Sequence, residues 1–416
     1  MTVNSIRLEQ HFEQMSEIGK LGETGTNRPT LSPSEKQAFE LASSWMQAAG
    51  MTTRIDNFGN LIGRLEGTKP ELPVLMMGSH LDSQPYGGRF DGVAGVLCAI
   101  EAVTTIVEKG IKPERTIEVV SFADEEGWRF NKGLFGSRGI LGRLEEGELD
   151  RADKDGITRR QALIDFGCDP KKFDDSLYPP GSIHCFLELH IEQGPVLDLA
   201  HKPIGVVSGI SGPLWWTVKL KGMAGHAGSV PMPIRQDALV GAAEIILALR
   251  QIATQIPDAP TVGTVGTMNV FPASRNVIPE EVTFTVDLRD IDLSRRNMYE
   301  AQLREQIEAI CGKHHLTYSI TEDWNSEPRY CADWLKQIIH AQCNNLNLDA
   351  PELMSGPFHD AMALSYATDY AMIFVRCKDG ISHNPLEFAS YKDLALGAEV
   401  LYGTVLEVLK HEPYNL

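Results

Sequence analysis

Val74-Leu-Met-Met-Gly-Ser-His80-Leu-Asp82 is followed by Gly87-Gly-Arg-Phe-Asp91-Gly92, an apolar run over residues 93–107, and Thr116-Ile-Glu-Val-Val-Ser-Phe-Ala-Asp124-Glu125-Glu126. The two short apolar runs bounded by turn residues read as buried parallel strands, and the segment between them as a helix. Together they predict a βαβ unit, in which ligands sit beyond the carboxyl ends of the strands. His80, Asp91, Glu125 and Glu126 all fall at those ends. Four side chains able to hold a metal thus gather on one edge of one sheet, and that edge is the expected active site.

Working outward, apolar positions Ile6, Phe12, Met15 and Ile18 mark an amphipathic helix. Ser32-Pro33-Ser34-Glu35 opens a second, with Ser32 as N-cap and Gly50 as its stop. Residues 52–56 and 60–65 form a strand pair around Asn57-Phe58-Gly59. Residues 144–182 are polar and read as a surface excursion with a short helix near 159–166, and residues 185–194 form another buried strand carrying His190. From Leu214 the pattern changes to strand 214–221, helix 235–255, strand 261–271, strand 282–288, helix 294–314 and strand 316–321. That βαββαβ order is ferredoxin-like and makes a self-contained insertion. A helix over 332–345, a strand over 372–376 and a helix over 391–410 complete the main domain. The predicted fold is α/β: a central mixed sheet flanked by helices (1–211 and 328–416) with the ferredoxin-like unit inserted at 212–327.

The hydrophobic fraction of 43% over 416 residues supplies ample core for two globular domains. A formal net charge of −18 argues against a nucleic-acid surface, which needs clustered Lys and Arg. The seven cysteines (98, 168, 185, 311, 331, 343, 377) show no CxxC and read as reduced thiols of a cytoplasmic protein. The first residues lack the apolar core of a signal peptide, and no run approaches the roughly 18 apolar residues of a membrane helix. No membrane partner is expected.

Each candidate side chain has a plainer reading. His80 and Asp82, at i and i+2, would suit a structural hydrogen bond as well as a metal ligand and its orienter. Asp91 would suit an ordinary N-cap. Glu125-Glu126 would suit a solvated acidic loop, but adjacent carboxylates after a buried strand persist cheaply only when a cation or proton lies between them. One can then hold a metal while its neighbour takes a proton from water. His190 and His383 alone would be surface histidines. The coincidence of all these at strand ends favours a two-metal hydrolytic site.

The stretches Gly78-Ser-His-Leu-Asp-Ser83, Gly87-Gly-Arg-Phe-Asp-Gly92, Asp124-Glu-Glu-Gly127, Glu188-Leu-His-Ile-Glu-Gln-Gly194, Gly225-His-Ala-Gly228, Asn276-Val-Ile-Pro279 and Gly380-Ile-Ser-His383 resemble the amidase (hydantoinase/carbamoylase) branch of the M20 metallopeptidase family. That branch includes N-carbamoyl-L-amino-acid hydrolases, allantoate amidohydrolases and β-ureidopropionases. The short gap from His80 to Asp91, and His190 where the peptidases carry an acid, point to the amidases. The resemblance implies two divalent ions per subunit (Mn, Zn, Co or Ni), bridged by Asp91, with His80 and His190 on one and Glu126 and His383 on the other. Glu125 would be the general base on the attacking water, and Asp82 would hold His80. The insertion would be a lid and homodimer interface. From it His226 would stabilise the oxyanion, while Asn276 and Arg289 would grip the substrate carboxylate. A surface ion pair with Asp287 or Asp290 is the plainer reading of Arg289. Gln193 would contact the ureido end, and Gly356 is placed among the substrate contacts.

Two departures bear on specificity. The family's Ser-Gly-Ala-Gly-His-Asp loop is here Ser355-Gly-Pro-Phe-His359-Asp360, in which Pro357 removes an N–H and Phe358 adds bulk. Leu214-Trp215-Trp216 stands where the allantoate enzymes carry arginines, which favours an apolar substrate side chain, although a core role for the tryptophans is the plainer reading. The expected reaction is hydrolysis of the ureido C–N bond of an N-carbamoyl-L-amino acid, a small ureido acid, with allantoate or β-ureidopropionate as alternatives. A relative serving only for binding would be expected to lose Glu125 or a metal ligand, and none is lost.

Overall fold

Val74–His80 and Ile117–Phe122 are strands joined by a helix over Val93–Glu108, in a computed structural model that describes residues 1–411 of the chain. Every residue of both strands is buried, as expected of a parallel pair covered on both faces. They run parallel with Leu75 opposite Ile117 and His80 opposite Phe122. Gly78 makes this approach possible: its φ is +147°, and a Cβ there would lie 1.9 Å from the Val120 carbonyl oxygen.

The chain divides into two compact units. The first comprises Met1–Ser208, Cys331–Leu353 and the described residues from Pro357 onward. Its main strands are Thr52–Ile55 (β1), Leu61–Leu65 (β2), Val74–His80 (β3), Ile117–Phe122 (β4), Ile183–Ile191 (β5), Ile204–Ile210 (β6) and Asp369–Val375 (β7). They lie in the order β6-β7-β5-β3-β4-β2-β1. Strands β7, β5, β3 and β4 are mutually parallel, and β6, β2 and β1 pair antiparallel, so the sheet is mixed. The apolar helices Val93–Glu108 and Tyr391–Val408 pack together and bury most of their residues.

The second unit is Gly209–Tyr330 with Met354–Gly356. Its sheet runs Val262–Thr264, Glu281–Asp290, Gly212–Lys221, Thr317–Asn325, all antiparallel, and helices Ala238–Ala253 and Leu293–Lys313 supply the rest of its core. The expected strand over 261–271 is two short ones, Val262–Thr264 and Met268–Phe271, both on Glu281–Asp290. At the break the Thr267 amide donates to the Thr285 hydroxyl instead of a main-chain carbonyl (3.1 Å). Residues 354–356 were not expected to group with this unit. They do so because the Ser211 amide donates to the Ser355 carbonyl, and the Ser211 hydroxyl and Arg289 Nη1 donate to the Gly356 carbonyl.

Leu214 and Trp216 are wholly buried in the core of this unit. Of the three residues expected to set specificity, only Trp215 lies on the other face of the strand, half-buried, with the Arg289 guanidinium 5.7 Å from its ring. Among the described residues no helix is long and apolar enough to cross a membrane, and all seven cysteines are free and buried.

Candidate active site

Four chain segments meet at the carboxyl ends of β3, β4, β5 and β7. His80 ends β3, Glu125 and Glu126 follow β4, His190 lies at the end of β5, and His383 lies on the loop after β7. Asp91 precedes the helix that follows β3. It is not the N-cap: that position is Gly92, and no side chain caps the helix. Gly92 has φ +66°, and a Cβ there would lie within 2.5 Å of the His80 ring, so the backbone turns at the one residue type that lets the imidazole approach.

The Asp91 carboxylate is the centre of the cluster. Its Oδ1 lies 3.2 Å from His190 Nε2 and 3.6 Å from His80 Nε2, and its Oδ2 lies 3.1 Å from His383 Nε2. Glu126 Oε2 is 3.5 Å from His383 Nε2, and Glu125 Oε2 is 3.6 Å from His80 Nε2. Of three groups among the described residues whose ligand atoms lie close enough to hold an ion, two, His80–Asp91–His190 and Asp91–Glu126–His383, share Asp91, and the third is Glu188–His190–His359. The tautomers fit that use. His80 Nδ1 lies 3.0 Å from the Asp82 carbonyl and His190 Nδ1 lies 2.9 Å from the Ile191 carbonyl, an arrangement that leaves both Nε2 lone pairs facing Asp91. The Gly92 amide donating to His190 Nε2 requires the same tautomer. A donor set of imidazole and carboxylate suits Mn, Co, Ni or Zn.

Asp82 does more than hold His80. Its carboxylate accepts the main-chain N–H groups of both Glu125 and Glu126 (3.3 Å each), with Oδ1 3.6 Å from His80 Nδ1. It therefore fixes the turn that aims the two glutamates. Gln84, which sequence reasoning missed, grips Glu126 through its amide N–H and its Nε2 (3.0 and 2.7 Å). Gln193 Nε2 donates to Asp91 Oδ2 (2.8 Å) and lies 3.4 Å from His383 Nε2, so this side chain sits on one of the two groups.

Burial raises the Glu125 carboxyl well above its ordinary range, reinforced by Asp360 and Glu126 and opposed by His80. Burial and Asp91 push Glu126 up to about 7. The Asp91 hydrogen bond, against burial, lifts His383 to about 9. The protein thus stores protons beside its carboxylates, the electrostatic state expected where cations and protons compete.

In the second unit, His226 pairs with Val277 in an isolated bridge, and the Ala227 amide donates to the Asn276 carbonyl. His226 and Asn276 are thereby neighbours. Arg289 forms a two-pronged ion pair with Asp287 (2.9 and 2.8 Å) and donates to the Gly356 carbonyl (2.8 Å), so its plainer reading is the arrangement seen.

The sequence pattern of peptidase family M20/M25/M40 matches residues 76–407. The chain belongs to that family. It is 46% identical over 409 residues to the N-carbamoyl-L-amino-acid amidohydrolase of Pseudomonas sp. (strain NS671), spanning 98% of this chain and 99% of that protein. It is 39% identical to the N-carbamoyl-L-amino acid amidohydrolase of Geobacillus stearothermophilus, over 98% of this chain and 99% of that one. A crystal structure of a hydantoinase/carbamoylase-family amidase from Burkholderia multivorans superposes with a TM-score of 0.92 at 34% identity, covering 98% of both chains. This M20 chain is a hydrolase of carbon–nitrogen bonds other than peptide bonds.

Around this M20 centre lie further buried groups that sequence reasoning did not single out. Glu188 accepts from the Ser79 hydroxyl (2.6 Å) and the Ala361 amide (2.9 Å), so its carboxylate is already engaged. His359 packs against His190 with ring centroids 4.5 Å apart and the planes tilted by 58°, and burial lowers its pKa well below the usual imidazole value. The period of two along β5 puts Glu188 on the face of His190, a signal present in the sequence. His359 stands in the 355–360 loop set out above, and nothing comparable marks Glu387.

Proposed function

We propose that this M20 chain hydrolyses the ureido C–N bond of N-carbamoyl-L-amino acids, giving the amino acid, CO2 and ammonia. The observation that carries the reading is Asp91, whose two oxygens face His80 and His190 on one side and His383 on the other, with Glu125 beside His80. Two divalent ions held there would polarise the carbamoyl carbonyl and make water a better nucleophile. Glu125 takes a proton from the attacking water and returns it to the leaving nitrogen. Its buried carboxyl, raised well above the ordinary range, suits a group that must both accept and give back a proton near neutral pH. Asp82 keeps Glu125 and Glu126 in register by holding their amides.

In the same reading the inserted unit, 212–327, acts as lid and homodimer interface. His226 stabilises the developing oxyanion, Asn276 and Arg289 receive the substrate carboxylate, and Gly356 is a further substrate contact. Asp287 supports this by fixing the orientation of the planar Arg289 fork on the strand face shared with Trp215. Gln193 turns its amide from Asp91 to the ureido end. Seven unpaired thiols suit a cytoplasmic setting.

The test is product release from the Mn²⁺-loaded protein, with Glu125→Ala as blank. N-carbamoyl-L-methionine, its D-enantiomer, N-carbamoyl-β-alanine and allantoate form the panel. Fast, L-selective turnover of the methionine compound, lost in the variant, is the expected result. Turnover of allantoate alone would overturn the substrate assignment.

A further inference from the structure

We propose that Glu387 is the positioning residue that locks Asp91 and His383 into one metal-binding geometry, an inference that rests on the two-ion reading above. Asp91 and His383 lie far apart in sequence, on separate loops, and each loop is irregular. Glu387 joins them. Its side chain is 2% exposed, and Oε1 accepts the main-chain N–H groups of Phe90 (2.9 Å) and Asp91 (3.0 Å). Oε2 accepts the hydroxyl of Ser382, the residue before His383, at 2.7 Å, and that hydroxyl lies 3.3 Å from Asp91 Oδ2. One carboxylate therefore sets the backbone of the shared ligand and the loop that carries His383.

The chain makes room for this contact. A Cβ at Gly88 would lie 2.3 Å from the Glu387 carboxylate, so the 88–91 loop passes directly over it. The Glu387 amide closes a turn onto the Asn384 carbonyl (2.9 Å), which fixes the side chain's own starting point. His383 itself has φ +53°, a conformation costly for a non-glycine residue that the surrounding loop must impose. Without the carboxylate, two N–H groups lose their buried acceptor and the His383 loop loses its tie to Asp91. An aspartate would fall short by about one C–C bond, roughly 1.5 Å. A glutamine keeps Oε1 for both amides and offers its NH2 group to the Ser382 oxygen.

Mn²⁺ titration of the metal-free full-length protein, followed by calorimetry and competition with a chromophoric chelator, tests this. Wild type, Glu387→Gln, Glu387→Ala and Ser382→Ala are compared. The expected result is that Glu387→Ala binds its second equivalent about 10–100-fold more weakly and its first, which keeps His80 and His190, less so, through the shared Asp91. Glu387→Gln recovers most of that loss, and Ser382→Ala falls between. The kcat of Glu387→Ala at limiting Mn²⁺ drops and returns with excess Mn²⁺, while KM is unmoved. A residue serving stability alone would weaken neither equivalent selectively, and equal weakening of both, or of neither, overturns the proposal. If Glu387→Ala does not fold, a wild-type second affinity in Ser382→Ala overturns it, and selective loss there supports it. A wild type that takes only one ion removes the two-ion reading itself, an outcome distinct from unaltered variants of a two-ion protein.

Discussion

Glu125, the proposed base, has its amide on Asp82 and its carboxylate 3.6 Å from His80 Nε2. It belongs to none of the three groups of side chains that can close around an ion. Glu125→Gln is therefore expected to lower kcat by about 10²–10⁴-fold while Mn²⁺ stoichiometry, read by elemental analysis, stays as in wild type. Loss of metal together with activity would make Glu125 a ligand instead. His383 gives a pH test. In the metal-free protein its imidazole holds a proton up to about pH 9, because Asp91 accepts its hydrogen bond, and Glu126 holds one up to about 7. An ion must displace those protons, so affinity rises with pH, by up to about tenfold per unit between 7 and 9 and more steeply below 7. Mn²⁺ titrations from pH 6 to 10 check this, and a flat profile would contradict it. The residue types and strand-end positions of His80, Asp91, Glu125, Glu126 and His190 were legible because a buried strand must end in something polar. The partners were not. Arg289 on Asp287, Gln84 on Glu126 and Glu387 on two loops depend on which oxygen faces which nitrogen, and no periodicity encodes that.

At the scale of elements, the glutamates are aimed by the turn after β4. Asp124 there adopts φ +56°, and its Oδ2 accepts from Arg159 Nη2 at 2.6 Å, inside the protein. Arg159 also binds Glu148 at 3.1 Å and stacks on Phe135, its guanidinium carbon 4.3 Å from the ring centroid. All three charged groups are buried. Arg159→Leu leaves the buried Asp124 carboxylate without its ion-pair partner, while Glu148 keeps Arg138 Nη2 at 2.8 Å, and this is expected to cost about 3–5 kcal/mol in urea unfolding. A change below about 1 kcal/mol would mean that water or a proton replaces the guanidinium there. The sequence marked residues 144–182 as a polar surface excursion with a short helix, which is Arg159–Phe166, but not the buried ion pair, because a buried ion pair between segments and an exposed one have the same composition. Long periodic elements, such as Val93–Glu108 and Tyr391–Val408, were legible. The short strand Glu352–Ser355 and the helix Asp360–Leu364 were not, since four or five residues are too few to display a period.

Across the whole molecule, the centre unites four segments with Asp82, Asp91, Glu125, Glu126, Glu188, Asp360 and Glu387, all acids, in a chain whose formal net charge is −18. Burial raises the carboxyls of Glu125, Glu126, Glu188, Asp360 and Glu387, so the folded metal-free protein must either hold protons there or bear like charges close together. Cations relieve both costs at once, and they do so only in the folded chain, because no unfolded chain gathers residues 80, 91, 126, 190 and 383. Binding therefore adds to stability by mass action, about 2.7 kcal/mol for each ion held at a free concentration a hundred times its Kd. Dialysis against a chelator should lower the midpoint of thermal unfolding and abolish activity together, and Mn²⁺ should restore both in the same concentration range. The effect should grow as pH rises from 6 to 9, because fewer protons then compete for Glu126 and His383. A chelated protein that keeps its midpoint but loses activity would show that the folded chain holds the site open without its ions. Asp91 would then be preorganised by its protein contacts alone, with the His383 and Gln193 side chains sharing its charge.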